Sequence, residues 1–392
     1  MTEGYCSLAE LCENEITDGT HQTPVYSEQG YIFLSSKDVT GGVIDWEHVK
    51  HIPENLHKEL YARVKPQVDD ILLAKNGTTG IAALVDRDEV FDIYVSLALI
   101  RPDKSKVIPQ YLLYAINSQK TQEFFKRNLK GIGVPNLHLT HIRETPIKLH
   151  PKAVQKKIIE KLGCIDCLLK EYEEELDILE TLVKSRFIEM FGDPVTNPLG
   201  WEEHRLDDYI TFLTSGSRGW SKYFSDDGEI FITIKNVKNN RITLENVQYV
   251  TPPDNAEAQR TKVREGDLLI SITADLGRTG VVSKAIEERG AYINQHLTCI
   301  RLKQGKINPG YVSYFMESEA GKRQFDAKNQ AAVKAGLNFD AIKSLKLLVP
   351  PLQLQNKYMS FVELADKSKI AIQKSIRLLE LLKASLMQTY FG

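Results

Sequence analysis

The sequence predicts an α+β fold made of two mixed α/β globules, each followed by a long helix. Three observations carry that expectation. Residues 152–192 and 352–392 each hold a narrow apolar seam at helical spacing. The residues before each of them alternate short strand-like runs with helix-like runs. The second half of the chain repeats the first at a nearly constant offset.

The first seam runs through Val154, Ile158, Leu162, Ile165, Leu169, Tyr172, Leu176, Leu179, Val183, Phe187 and Met190, in steps of four and three. The second runs through Leu354, Tyr358, Val362, Ala365, Ile372, Ile376, Leu379, Leu382 and Tyr390, with Lys369 interrupting it. Such a period makes one stripe on a helix about 55–60 Å long, and a stripe of that kind needs a partner helix. The two segments supply each other. They match at Pro151 and Pro351, Gln155 and Gln355, Lys157 and Lys357, Leu179 and Leu379, and they end alike on Phe191-Gly192 and Phe391-Gly392.

In the first globule (1–151), Tyr31–Ser36, Asp70–Leu73, Ala82–Val85 and Val95–Ile100 read as strands, with Gly41-Gly42 and Asn76-Gly77 as turns. Pro109 opens a helix through Tyr114, and a second covers Gln119 to Asn128. Residues 193–200 form a linker punctuated by Pro194, Pro198 and Gly200. The second globule (201–351) replays the first. Phe33–Val39 matches Phe231–Val237, Val68–Leu72 matches Glu265–Leu269, and Leu97–Arg101 matches Leu297–Arg301. The offset moves only between 197 and 200. Scaffold positions agree while loop positions diverge, as in two modules that read different ligands.

A chain of 392 residues holds two full cores, and 42% hydrophobic with 26% charged residues is the balance of a soluble globular protein. No apolar run spans a bilayer, and the acidic start is unlike a signal peptide. Five scattered cysteines point to a reducing, cytoplasmic setting. Residues 1–151 hold 16 basic and 20 acidic side chains, residues 201–351 hold 21 and 19. Neither globule is basic enough to diagnose nucleic acid by charge alone. The helices are opposite in sign, with 7 basic against 9 acidic in 152–192 and 6 against 3 in 352–392, which favours their pairing modestly.

Catalytic chemistry finds little support. The glycine-bearing loops 75–80 and 273–280 lack the phosphate-loop lysine followed by Ser or Thr. Cys164 and Cys167 lie inside the first seamed helix without a second pair. His48/His51 and His138/His141 sit three apart without a metalloprotease motif, although His138 is placed to face a ligand. Asp69-Asp70 and Lys75 only loosely suggest a nuclease, and no carboxylate cluster completes it. Two polar loops stand out instead: Thr17–Pro24 (read as a loop between the first helix and the first strand) and its counterpart Thr214–Ser221. Their hydroxyl, amide, His and Arg groups suit phosphates and base edges.

A globule, a long helix, a divergent second globule and a second equivalent helix resemble the specificity subunit of type I restriction–modification systems. The marks are Gln155 and Gln355 after Pro151 and Pro350-Pro351, the repeated Phe-Gly helix ends, and the Val68-Asp69-Asp70-Ile71-Leu72 strand with its later glycine loop. The resemblance covers essentially the whole chain. It implies two target recognition domains, each reading half of a bipartite double-stranded DNA target. It implies antiparallel pairing of the helices as a coiled coil with pseudo-twofold symmetry, setting the gap between half-sites. It also implies docking of two modification (methyltransferase) subunits that bring S-adenosylmethionine, and of restriction (motor–nuclease) subunits. The chain itself would hold no cofactor or metal and would not be an enzyme.

On that resemblance the readout candidates in the first globule are Gly19, Thr20, His21, Gln22, Lys37, Asn76 and Thr78. In the second they are Ser217, Arg218, Trp220, Lys222, Lys235, Asn236, Lys238, Asn239, Asn240, Arg241 and Arg278. Arg218 is the foremost candidate for a guanine contact, because arginine can fork onto O6 and N7. A coiled-coil scaffold with two protein-binding modules and no DNA readout is the alternative.

Overall fold

The computed structural model describes residues 4–130, 135–330 and 336–392. The chain divides into two compact units, Met1–Glu174 with Gln373–Gly392, and Glu175–Ile372. Each unit therefore contains a globule, one part of the first long helix and one part of the second.

The first unit runs β1 (Tyr5–Ser7), β2 (Thr17–Asp18), β3 (Tyr31–Leu34), β4 (Lys50–Ile52), α1 (Glu54–Arg63), β5 (Ile71–Ala74), β6 (Ala82–Leu84), β7 (Phe91–Ile93) and β8 (Leu97–Ile100). It continues through α2 (Pro109–Ile116), α3 (Gln119–Arg127), α4 (Leu139–Arg143) and β9 (Pro146–Lys148) into α5 (Lys152–Phe191). A four-stranded antiparallel sheet has the order β2-β8-β5-β6, and a three-stranded one the order β4-β3-β7, in which β3 and β7 are parallel. β1 and β9 form a separate ribbon.

β5 and β8 are apolar at every position because both their faces are covered, and the alternation of a strand decides which core each side chain enters. Ile71, Leu73, Ala98 and Ile100 join a core with Tyr111, Ile158, Leu162 and Phe391. Leu72, Ala74, Leu97 and Leu99 join the other, with Leu34, Phe91 and Ile93. Each fully buried Leu, Ile or Phe contributes roughly 1.5–3 kcal/mol.

The second unit carries β10 (Glu203–Arg205), β11 (Ile210–Ser215), β12 (Phe224–Ser225), β13 (Glu229–Ile232), β14 (Val237–Lys238), β15 (Arg241–Ile242), β16 (Gln248–Val250) and α6 (Ala256–Thr261). Then come β17 (Leu268–Ser271), β18 (Thr279–Val281), α7 (Lys284–Glu288), β19 (Ala291–Ile293) and β20 (Leu297–Leu302). The unit closes with α8 (Pro309–Glu317), α9 (Glu319–Gln330), α10 (Phe339–Lys343), β21 (Lys346–Leu348) and α11 (Leu352–Phe391), whose last part belongs to the first unit. The sheets repeat as β11-β20-β17-β18, β12-β16-β13-β19 and β10-β21, again with one parallel pair, β13 and β19. Among the described residues the β14–β15 hairpin has no counterpart in the first unit.

The same four ties recur in both units. Arg101 forks onto the buried Asp70 carboxylate at 2.8 and 2.7 Å, and Arg301 onto Asp267 at the same distances. Gln155 accepts from the Ile108 amide and donates to the His150 carbonyl; Gln355 accepts from the Asn308 amide and donates to the Pro350 carbonyl. Tyr111 donates to the Lys148 carbonyl, and Tyr311 to that of Leu348. Finally, Phe391 packs beside Tyr111 in the first unit, and Phe191 beside Tyr311 in the second, with ring centres 5.3 and 4.8 Å apart. The sequence marks at Gln155, Gln355 and the Phe-Gly ends are thus explained by packing.

Several expectations need adjustment. Thr17-Asp18 is a strand rather than part of a loop, and the preceding helix is a short 3-10 turn at Leu8–Leu11. Ser35 and Ser36 leave β3 because the Asp38 carboxylate takes up the Ser35 amide and hydroxyl in a turn. Val95 and Ser96 belong to a turn closed by the Leu97 amide on the Tyr94 carbonyl. Along the long helices Val154 and Leu382 fit the seam spacing but are exposed. Lys369, the interruption, is buried and lies 3.6 Å from Glu180.

Candidate nucleic-acid interface

In each unit the loops at one end of the four-stranded sheet are tied to one another through backbone and short side chains. In the first unit the chain leaves β2 at Gly19 and crosses to the end of β7, where the Thr20 amide donates to the Ile93 carbonyl. The crossing requires glycine, since a Cβ at Gly19 would lie 1.9 Å from the Ile93 carbonyl oxygen. The end of β5 arrives beside it. Lys75 is buried and its ammonium meets Asp18 at 3.0 Å, while its amide donates to the Ser96 carbonyl. Ser36 donates its amide to the Ser96 hydroxyl, which brings in the turn that carries Lys37. Asn76 pairs with Asn136, and the Leu137 amide donates to the Lys75 carbonyl.

This geometry gathers the candidates Gly19, Thr20, His21, Gln22, Lys37 and Asn76, with Thr78 on the loop that continues from Asn76. His21, Gln22, Lys37 and Thr78 are exposed. Gly19 is buried and contributes through its backbone path. Thr20 turns its hydroxyl to the Gln22 amide. The Asn76 and Asn136 side-chain oxygens are buried with no partner among the described residues.

The second unit repeats the layout. The chain leaves β11 at Gly216, where a Cβ would lie 2.0 Å from the Asn294 carbonyl oxygen, and Ser217 bridges to Asn294. The Ile272 amide donates to the His296 carbonyl, and Thr273 meets His296 Nδ1 at 2.6 Å. Arg218 and Lys235 are exposed at this end, and Lys222 is exposed over the Tyr223 ring. Arg278 is half-buried and paired with Asp275 at 2.7 Å.

Other candidates are held elsewhere. Trp220 is buried among Phe231 and Tyr292, so it anchors its loop. Asn236 is buried, and its amide oxygen accepts from the Thr233 amide and hydroxyl, as Asp38 does for Ser35. Lys238 and Asn239 are exposed on the β14–β15 hairpin, whose tip turns through left-handed Asn239 and Asn240 at φ 52° and 62°. Asn240 donates to Thr279 and Ser313, and Arg241 pairs with Asp366 of α11. Those two side chains face a cleft of about 580 Å³ beside Phe187, Tyr314 and Tyr358, not the loop end.

Sequence reasoning missed two residues at the interface. Arg63 donates to the Asp18 and Gly19 carbonyls at 2.7 and 2.5 Å. Arg260 donates to the Ser215 carbonyl at 2.9 Å, to the Ser217 hydroxyl at 3.0 Å, and to the Thr214 hydroxyl. The offset of 197 that relates the loops also relates these arginines, and that coincidence was the available signal. Among the described residues no group of three or more His, Cys, Asp and Glu could hold a metal ion. No described helix is long and apolar enough to cross a membrane.

Comparison with known proteins gives a consistent picture. The type I restriction modification DNA specificity domain matches twice, over residues 7–178 and 198–383. The chain is 21% identical over 330 residues to the type I restriction enzyme MjaVIII specificity subunit of Methanocaldococcus jannaschii, covering 78% of this chain and 76% of that one. Its fold is similar to the crystal structure of a type I restriction–modification system S subunit from M. genitalium, with a TM-score of 0.62 and 16% identity over 99% and 96% of the two chains. It is also similar to a chain from a study of assembly and conformational transition of the type I system, with a TM-score of 0.58 and 18% identity over 99% and 97%.

Proposed function

As the chain belongs to the type I restriction modification DNA specificity family and carries its domain twice, we propose that it is the sequence-recognition subunit of such a system, each globule reading one half of a bipartite duplex target. The observation that carries this reading is the divergence of exposed loop side chains on two scaffolds held by identical ties. His21 stands where the second unit presents Arg218, Gln22 where it has Gly219, and Thr78 where it presents Asp275, while Lys37 and Lys235 match. Exposed Arg, Lys, Gln and hydroxyl groups on firmly tied loops suit phosphate anchoring and base-edge readout.

The long helices act as a spacer, pairing antiparallel as a coiled coil and relating the globules by a pseudo-twofold axis. Within the second unit Glu180 lies near Lys369, while the Val183 carbonyl accepts from Tyr358, so one number rises as the other falls. A helix of forty residues is about 60 Å long, enough to set half-sites a helical turn or more apart. Their outer faces expose Ile178, Leu182, Ile188, Leu364 and Ile370, an apolar surface suited to docking two modification subunits. Those subunits carry S-adenosylmethionine and methylate adenine, and restriction subunits join for cleavage. The chain works in the cytoplasm as a non-catalytic reader.

The test is single-molecule sequencing of methylated bases in cells that express the full chain with its modification partner. A split adenine-methylated motif is expected. With the partner shown folded and bound, methylation without a bipartite motif would overturn the reading in favour of a protein-interaction scaffold.

A further inference from the structure

The duplicated arginines Arg63 and Arg260 occupy a position whose geometry reaches beyond packing. Arg63 is the last residue of α1, and Arg260 lies in the last turn of α6, where a cation complements the helix C-terminus. Among the described residues neither side chain has a carboxylate within hydrogen-bonding reach. Each donates to the chain that leaves the four-stranded sheet for the end of the parallel strand pair. The shared acceptor falls at the same place in both units, the carbonyl of Asp18 in one and of Ser215 in the other, 197 residues apart like the arginines themselves.

The residues just beyond each clamped carbonyl are the ones that vary. In the first unit they are His21, Gln22 and Thr23, all exposed. In the second they are Arg218 and Gly219, and Arg218 carries the exposed side chain between Ser217, held by Arg260, and Trp220, buried against Phe231 and Tyr292. A side chain can fork onto a base edge only if its backbone is fixed to within a fraction of an ångström. Arg63 holds both carbonyls from one nitrogen, while Arg260 reaches the Ser215 carbonyl and the Ser217 hydroxyl from two nitrogens of one rigid plane, a fork that a lysine cannot reproduce.

We propose that Arg63 and Arg260 are positioning residues for base readout, each setting the aim of the loop in its own globule and so the discrimination at one half-site. The proposal rests on the DNA-recognition reading and adds to it the residues that make two divergent loops usable on one scaffold. The arginines touch no base themselves. Their loss should lower discrimination while leaving phosphate-driven affinity in place.

The experiment uses the full chain assembled with its modification partner, as wild type, Arg63→Ala, Arg260→Ala and Arg260→Lys. Duplexes carrying the wild-type motif, and the same motif with single base-pair changes in one half, compete for binding. Arg260→Ala should lower discrimination at one half-site by about 5- to 100-fold and leave the other half-site unchanged. Arg63→Ala should do the mirror image. Affinity for a motif-free duplex should stay within about twofold, since the phosphate contacts remain. Hydrogen exchange on the free chain gives a readout without DNA. The Gly216 amide, bonded to the Leu297 carbonyl, should exchange at least about tenfold faster in Arg260→Ala, and the Thr20 amide should not change. Arg260→Lys keeps the charge at the helix end and guards against a variant that fails to fold; it should fold like wild type and still lose discrimination at that half-site.

Equal losses at both half-sites, or a loss matched by motif-free affinity, would overturn positioning in favour of a merely structural role. So would unchanged discrimination with unchanged exchange. A wild-type complex that shows no bipartite preference would overturn the recognition reading and this proposal with it, whereas a wild-type preference kept by Arg260→Ala would overturn the positioning role alone.

Discussion

The end of β5 in the first unit and the end of β17 in the second occupy the same place in the sheet but meet different chemistry. Lys75 is buried there against Asp18 at 3.0 Å. The second unit has Ile272 at the place of Lys75 and Ser215 at the place of Asp18, and it closes the same gap with the Thr273–His296 contact. Behind these loops the framework pair is shared: Asp70–Arg101 and Asp267–Arg301 have the same two-bond geometry. The difference teaches which contacts are interchangeable. A framework pair must be kept whole, because loss of one member strands a desolvated charge. A loop-end pair can be exchanged for an apolar and hydroxyl set, provided that both members change together.

The framework pairs give the largest expected effect. Asp267→Ala should cost about 3–5 kcal/mol and Asp70→Ala nearly as much, measured by urea unfolding of the full chain. The loss at Asp267 should be slightly the greater, because its carboxylate also accepts from the Cys299 thiol. Variants whose unfolding free energy falls by less than about 1 kcal/mol would break the claim of a shared framework.

The loop-end exchange comes next. Asp18→Ala leaves Lys75 unpaired and should cost about 3 kcal/mol, whereas Asp18→Ser with Lys75→Ile installs the second unit's residues and should cost less than about 1.5 kcal/mol. A double variant as unstable as the single one would show that the two loop ends are not interchangeable.

The smallest effect concerns pH. Asp92 is buried, and burial raises its carboxyl above the ordinary 3.8, against the lowering pull of His57 at 2.7 Å. A raised folded value means that its contribution is fully present below 3.8 and declines as pH rises through the folded value. Asp92→Asn should flatten that decline in unfolding free energy. The matching position in the second unit is Tyr292, which has no such carboxyl, so an Ala substitution there should leave the slope unchanged. A slope that persists in Asp92→Asn would assign it to another group.

The duplicated architecture was legible because period and offset survive loop divergence. Tyr111, Gln155, Phe191 and their partners at an offset of 200 mark a framework in the sequence itself. The loop ends were only half legible. Residue type alone points to Asn236, Asn240 and Arg241, yet Asn236 closes a turn, and the other two are claimed by Ser313, Thr279 and Asp366. A side chain's type does not reveal which acceptors the fold brings to it. Trp220 is a similar case, since its burial depends on Phe231 and Tyr292 from other strands. Arg63 and Arg260 escaped notice because each sits in an ordinary polar helix, with nothing local to distinguish it.

The ring of Phe391 against Tyr111 has a consequence for synthesis. The first globule contains a place filled by Phe391, which is made 280 residues after Tyr111. Until then its core lacks a wall, whereas the second globule receives Phe191 before its own strands are made. Folding therefore runs against the order of translation: the head made second can close first, and the head made first waits on a contact 280 residues downstream, a separation at which chain closure is slow.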